Sequence, residues 1–413
     1  MRPVLLPRSA RPEAGVLLAA RGLRAFGDGL VSLVLPAYLL ALGYGPLETG
    51  VLASATLAGS ALLTLMAGLY AHRSSGRVLL MAASVVMLLT GLAFATCQDF
   101  WPLLVIAFIG TLNPSSGDVS VFLPLEHAQL AHLVAERDRT RLFARYSFIG
   151  SAGAALGALC AGFPETMAGL LGLSLKQALQ GVFVLYAALG GMVLLLYRRL
   201  PRATSGGSEP VPAQPLGPSR RIVLLLAVLF SLDSLAGGFV VQSLLALWLF
   251  ERFGLSLTTT GMIFFWAAVL SALSYFAAAW ISERIGLVNT MVFTHLPANI
   301  CLVLTPFAPT LWAAVALLLV RAALSQMDVP TRTSYVMAVV TPGERAAAAS
   351  LTALPRSLAA AASPMLAGSL LATSGFGWPL VIGGGLKIVY DLLLLAMFRN
   401  VRPPGERTVP TRP

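Results

Sequence analysis

Charge is scarce in this chain: of 413 residues only 11% are Asp, Glu, Lys or Arg. A soluble chain carries about a quarter, so a water-exposed globular surface is excluded. Acids are the rarer sign, 17 against 28 basic residues. Cysteine occurs three times, as Cys97, Cys160 and Cys301, each in an apolar stretch. These read as small apolar filler, and a disulfide framework is excluded. Histidine occurs four times. The one gathering of ligand-type side chains is Glu126, His127, His132 and Glu136. Its two histidines are five apart and off one helical face, so it reads as a charged connector, and no metal is expected. No nucleophile triad, phosphate loop or nucleotide-binding segment is visible, and Asp28-Gly29 is not a phosphate loop. Neither an enzyme nor a bound cofactor is predicted. The N-terminus lacks a small-residue cleavage site, so the first apolar segment is read as a retained span.

What the chain has is apolar length. The hydrophobic fraction is 57% and the mean hydropathy +0.82. Uncharged runs cover 51–71, 78–96, 262–281 and 287–310. Each is long enough to cross ~30 Å of hydrocarbon as a helix, and none alternates as a barrel strand would. The pattern predicts spans at 16–42, 46–71, 78–97, 101–124, 141–162, 177–197, 222–250, 257–281, 287–307, 310–330, 346–373 and 378–398. The fold class is therefore an all-α polytopic membrane protein with about twelve transmembrane helices.

The net charge of +11 has a topological cause. On this layout 23 of the 28 Lys and Arg residues fall on one side, only Lys176 and Arg252 on the other, and three inside spans. Excess basic residues mark the cytoplasmic face, which puts both termini inside. No soluble stretch is long enough to gather a basic face for nucleic acid.

The chain also repeats itself. Gly43, Gly50, His72 and Arg73 recur as Gly254, Gly261, Glu283 and Arg284 at an offset of 211. Asp118-Val119 recurs as Asp328-Val329, Asp138-Arg139 as Glu344-Arg345, and Ala161-Gly162 as Ala367-Gly368. Two six-helix pseudo-repeats follow: an N-terminal half at 1–200, a Pro/Gly/Ser-rich cytoplasmic linker at 201–220, and a C-terminal half at 221–413 ending in a short cytoplasmic tail. Such repeats are a common transporter plan, with the ligand site between them.

The turns after spans 2 and 8 carry a family resemblance. Gly68-Leu-Tyr-Ala-His72-Arg73-Ser-Ser75-Gly76-Arg77 resembles the signature loop of the major facilitator superfamily, and Ala279-Trp-Ile-Ser-Glu283-Arg284-Ile-Gly286 is similar. The first copy has His72 in place of the acid and its second glycine one residue late; the second has Ala279 for the first glycine. In that family the loop's basic residue pairs with an acid on span 4 and holds the cytoplasmic side shut. The resemblance implies a cytoplasmic gate of Gly68, His72, Arg73 and Asp118 in one half and Glu283, Arg284 and Asp328 in the other, with Arg73–Asp118 and Arg284–Asp328 pairs. The alternative is that these charges only cap helix ends and set topology. Gly68 would let span 2 approach a neighbour closely. Family architecture also places spans 1, 4, 7 and 10 around a central cavity, with 2, 5, 8 and 11 flanking it and 3, 6, 9 and 12 outside.

Ionisable groups inside spans are costly and mark function or pairing. Asp28, Asp233, Arg321 and Arg356 fall on spans that reach the implied cavity. Asp233 has no basic residue within one turn, so it reads as the proton-exchanging acid. Asp28 reads either as a second such acid or as a local partner of Arg24. Arg321 and Arg356 are each an anion anchor or a fixed counter-charge. Lys387 and Asp391, four apart on span 12, read as an internal pair. Uncharged candidates are Tyr38, Asn113, Ser116, Gln242, Trp266 and Gln326, against a plain packing role. Asn113-Pro114 in span 4 and Pro355 and Pro364 in span 11 suggest hinges. Ser363-Pro364-Met-Leu-Ala-Gly368 resembles the exporter motif of drug antiporters, although it stands on span 11 rather than span 5.

The expected function is secondary-active, proton-coupled export of a small molecule by alternating access, from a multi-pass monomer in the cell (inner) membrane. Proton-coupled nutrient uptake is the alternative within the class. A sensor with a transporter fold is the alternative outside it, and would need an output module for which the short tail leaves no room.

Overall fold

A computed structural model describes residues 10–70, 75–115, 120–134, 136–201, 217, 219–340 and 344–399. Among them every regular element is helical, and nine segments are long and apolar enough to cross a membrane, with two shorter apolar helices besides. Spans 1 to 3 are the single helices α1 (Pro12–Ala41), α2 (Pro46–Tyr70) and α3 (Gly76–Thr96). Span 4 is broken into α4 (Phe100–Ile109) and α5 (Phe122–His132). Span 5 begins as α6 (Glu136–Leu159) and continues through a 3-10 turn into α7 (Phe163–Leu171), and span 6 is α8 (Leu175–Tyr197).

Span 7 is also broken, into α9 (Arg220–Gly238) and α10 (Gln242–Phe253). Spans 8 and 9 are α11 (Leu257–Ile285) and α12 (Leu287–Leu304). Span 10 breaks at Gln326–Met327 between α13 (Leu311–Ser325) and α14 (Asp328–Val339). Spans 11 and 12 are α15 (Arg345–Thr373) and α16 (Trp378–Phe398). The all-α, about twelve-span fold is as the hydropathy predicts. Three differences concern continuity. Spans 7 and 10 are interrupted where uninterrupted helices were expected, and span 5 runs on to Leu171. Span 11 runs as one helix through both prolines, so the break that proline suggests occurs on span 4 alone.

The chain forms two compact units. Unit 1 comprises Met1–Gly206, Val241–Ala268 and Pro364–Gly375; unit 2 comprises Gly207–Val240, Val269–Ser363 and Phe376–Pro413. Hence α10, the start of α11 and the end of α15 belong with the N-terminal helices, and the contact units only partly follow the sequence halves.

Within unit 1 the helices meet through small residues. Hydrocarbon offers no hydrophobic drive between helices, so close backbone approach does the work. A Cβ added at Gly29 of α1 would strike the Ala154 carbonyl of α6, and one at Gly157 of α6 would strike the Phe26 carbonyl of α1. Gly50 of α2 and Gly368 of α15 face each other in the same way. Gly68 does not: a Cβ there meets nothing within 4 Å among the described residues, so the close approach expected of it is not seen.

The helix breaks are themselves satisfied. Pro114 has no N–H, and the Asn113 side chain accepts from Ser115 N (3.1 Å) and Ser115 Oγ (2.8 Å), giving the backbone an alternative to the helix. The Pro114 carbonyl then accepts from Ser243 N at the start of α10, at 3.0 Å. One interrupted span thus fills a hydrogen bond that the other leaves open, as non-helical backbone at membrane depth requires.

Candidate functional site

In unit 1 a cluster forms around Glu126 at the first turns of α5. Arg24 of α1 donates to Glu126 through Nη2. The hydroxyls of Tyr146 (α6) and Tyr197 (α8) donate to the two Glu126 carboxylate oxygens, each at 2.5 Å. Arg24 is 1% exposed and Glu126 0%. The Arg24 guanidinium also lies 4.1 Å from the centroid of the Phe122 ring, and Arg21 lies 5.1 Å from that of Tyr146. Four helices therefore converge on one carboxylate, whose negative charge is met by one guanidinium and two hydroxyls.

One turn further along α1, Asp28 is 7% exposed. It accepts from the Tyr186 hydroxyl of α8 at 3.5 Å, a hydroxyl that also lies 3.0 Å from the Thr111 carbonyl. Asp28 forms no ion pair among the described residues. The local Arg24–Asp28 pair considered from the sequence is not made, because Arg24 reaches Glu126 on another helix instead.

Unit 2 holds a second cluster. Asp233 of α9 is gripped from both sides, by Lys387 Nζ of α16 at 2.6 Å and Arg332 Nη2 of α14 at 3.0 Å. The same Arg332 nitrogen bonds Asp328, one turn earlier on α14. Asp391 of α16 is held by His295 Nδ1 of α12 (2.8 Å) and accepts from Asn299 Nδ2 of the same helix (2.9 Å). The Phe230 ring lies under two guanidinium groups, Arg332 at 5.3 Å and Arg356 at 6.0 Å.

Several expectations need correction. Asp233 is not unpaired; its partners come from helices far away in the chain. Lys387 and Asp391 do not pair with each other: tertiary neighbours, Asp233 for one and His295 with Asn299 for the other, take them both. Asp328 pairs with Arg332 rather than Arg284, because the i,i+4 position on its own helix is nearer. Arg284 stacks over Trp280, 3.8 Å from the ring centroid. Arg321 forms no ion pair among the described residues, so it is no counter-charge to Asp28 or Asp233. Tyr38 is fully buried and donates to the Phe94 and Cys97 carbonyls at 3.1 and 3.2 Å, beside Phe183; this is packing against α3 and α8.

Asn113 serves the break in span 4, Gln242 opens α10, and Gln326 lies at the break in span 10. Trp266 is exposed. Besides its place over Phe230, Arg356 makes one hydrogen bond among the described residues, its Nε donating to Ser234 Oγ at 3.2 Å. His72, Arg73, Ser116 and Asp118 lie outside the described residues, as does the Glu283 side chain.

Sequence reasoning read Glu126 only as part of a charged connector and gave no site role to Tyr146, Tyr197, Tyr186, Arg332, His295 and Asn299. A signal existed for some: Glu126 follows the apolar run Phe122-Leu-Pro-Leu125, and His295 and Asn299 stand one turn apart in a run without Asp, Glu, Lys or Arg.

The comparisons with known proteins agree with the fold. The chain is 27% identical over 429 aligned positions to an uncharacterized membrane protein of Saccharomyces cerevisiae, covering 95% of this chain and 96% of that one. A crystal structure of the nucleoside transporter NupG superposes with a TM-score of 0.70 at 14% identity, covering 94% of this chain and all of that one. A bacterial homolog of the human lysosomal transporter Spinster, crystallised inward-facing and occupied, gives 0.72 at 15%, covering 95% and 98%. The model of the Major Facilitator Superfamily matches residues 17–327 and again 226–413. The chain, a multi-pass membrane protein, belongs to the major facilitator superfamily.

Proposed function

We propose that this secondary transporter of a small molecule is driven by the proton gradient and works in the direction of export. The observation that supports proton coupling is Asp28. It lies 16 residues into α1, or ~24 Å along the helix, and is buried without an ion pair among the described residues. The other buried carboxylates of both clusters are held: Glu126 by Arg24 and two tyrosines, Asp233 by Lys387 and Arg332, Asp328 by Arg332, Asp391 by His295 and Asn299. A carboxylate that can gain and lose a proton without dismantling an ion pair suits a cycle in which it alternates between two faces. The proton-carrying role therefore moves from Asp233, first choice on sequence grounds, to Asp28. The direction rests on the likeness of Ser363-Pro364-Met-Leu-Ala-Gly368 to the exporter motif. The basic-residue asymmetry supports cytoplasmic termini and a cytoplasmic linker, and gating by Arg73 with Asp118 remains part of the reading.

The test is flux in proteoliposomes with an imposed pH gradient against a compound panel. Asp28→Asn should abolish gradient-driven accumulation and leave substrate counterflow measurable, since Asn keeps the shape and the hydrogen bond but not the proton site. Full proton-coupled transport by Asp28→Asn would sink the assignment.

A further inference from the structure

Unit 2 holds more cations than its carboxylates take up. Asp233 is shared by Lys387 and Arg332, Asp328 is bound by Arg332, and Asp391 by His295 and Asn299. Within the membrane helices, two guanidinium groups have no ion pair among the described residues. Arg321 of α13 has a buried Nε with no hydrogen-bond partner and forms no ion pair among the described residues.

Arg356 of α15 is oriented. Ser234 of α9 fixes its Nε at 3.2 Å, and the Phe230 ring lies 6.0 Å from its Cζ. Its two terminal NH2 groups have no acceptor among the described residues. One edge of the planar fork is therefore held by the protein and the other is open. A guanidinium inside a membrane helix calls for an anion, and its fork fits a carboxylate or a phosphate through two parallel hydrogen bonds. The acids nearest in the cluster, Asp233 and Asp328, are already engaged and cannot serve it without abandoning Lys387 or Arg332.

We propose that Arg356, positioned by Ser234 and Phe230, binds the negative charge of the transported molecule, and that the substrate is an organic anion carrying a carboxylate or phosphate group. This rests on the transport reading for the word substrate, whereas the binding role stands on unit 2 alone. Arg321 adds a second uncompensated positive charge to the same unit, so an anion also relieves the imbalance there.

The experiment measures binding to the purified full-length protein in detergent by the rise in unfolding temperature with probe concentration. The probes are benzoate against benzamide, phenyl phosphate against phenol, and inorganic phosphate. At least one organic anion should stabilise the wild type while its uncharged counterpart does not. Arg356→Gln should weaken that binding roughly tenfold or more, the loss of charge-assisted hydrogen bonds, with an unchanged elution profile on gel filtration. Arg356→Lys should recover only part of it, because an ammonium lacks the fork, and Ser234→Ala should lose a smaller part.

The proposal is overturned if no organic anion binds, if the uncharged probes bind as tightly, or if Arg356→Gln leaves anion binding unchanged. Equal affinity for inorganic and phenyl phosphate would assign the site to the inorganic ion and overturn the organic class. Anion binding through Arg356 in a protein that shows no flux would count against transport while supporting the binding role.

Discussion

Replacing Glu126 by Gln should be among the most damaging conservative changes in unit 1. The carboxylate is the only ion-pair partner of Arg24 among the described residues, and both side chains are buried. Removing one member of a buried pair leaves the other charge uncompensated, at a cost of about 3–5 kcal/mol. Gln keeps the volume and one acceptor, so the loss is electrostatic and not a cavity. The tyrosines set a second scale. Tyr197→Phe leaves Glu126 Oε1 without its hydroxyl donor at about 1–3 kcal/mol, whereas Tyr146→Phe removes one of two donors from Oε2, which keeps Arg24, and should cost less.

The double variant Arg24→Met with Glu126→Leu removes both charges and fills the space. It should lose far less than the two single changes added together, with a coupling of roughly 2 kcal/mol or more. The assay is equilibrium unfolding of the purified protein in mixed micelles, comparing wild type, both singles and the double. A Glu126→Gln variant within about 0.5 kcal/mol of wild type, the range of ordinary surface changes, would refute the reasoning. So would single effects that simply add.

Two further outcomes are expected. Glu165 of α7 caps α11 in unit 1, accepting from Leu257 N at 2.9 Å and from Thr258 Oγ1 at 3.2 Å, so Glu165→Ala should cost about 1 kcal/mol by the same unfolding measurement, as lost helix caps do; no change would mean that water replaces the cap freely. Single cysteines at Ser208 and Gly405, in a background without the native cysteines, should resist an impermeant maleimide in intact cells, and labelling of either from outside would reverse the basic-face assignment.

Helices were legible because each signal was local. An uncharged run of twenty residues declares a span by itself, and a repeat needs only matching spacings. Breaks were partly legible: Asn113-Pro114 marks span 4 through a missing N–H. Spans 7 and 10 break at Phe239–Val241 and Gln326–Met327 without a proline at the junction. What supports the break in span 7 is in part a carbonyl supplied by span 4, and sequence periodicity carries no record of that partner.

Charges were legible as present and illegible as partnered, for a geometric reason. Helical spacing ranks neighbours within about one turn, so it saw Lys387 with Asp391 and saw nothing beside Asp233. In hydrocarbon the uncompensated charge is too costly to wait for a sequence neighbour, and the nearest opposite group across a helix contact takes it. Lys387 is 154 residues from Asp233, and Arg24 is 102 from Glu126. The two halves even share the device. Tyr186 stands eleven residues before Tyr197 at the end of α8, as Lys387 stands eleven before Phe398 at the end of α16. Each meets an aspartate on the first helix of its own half, Asp28 or Asp233. The same position thus carries a phenol in one half and an ammonium in the other. Only the ammonium neutralises its partner, so the acid left without an ion pair among the described residues lies in the half where Arg24, one turn away in sequence, offered a local partner and turned to Glu126 instead.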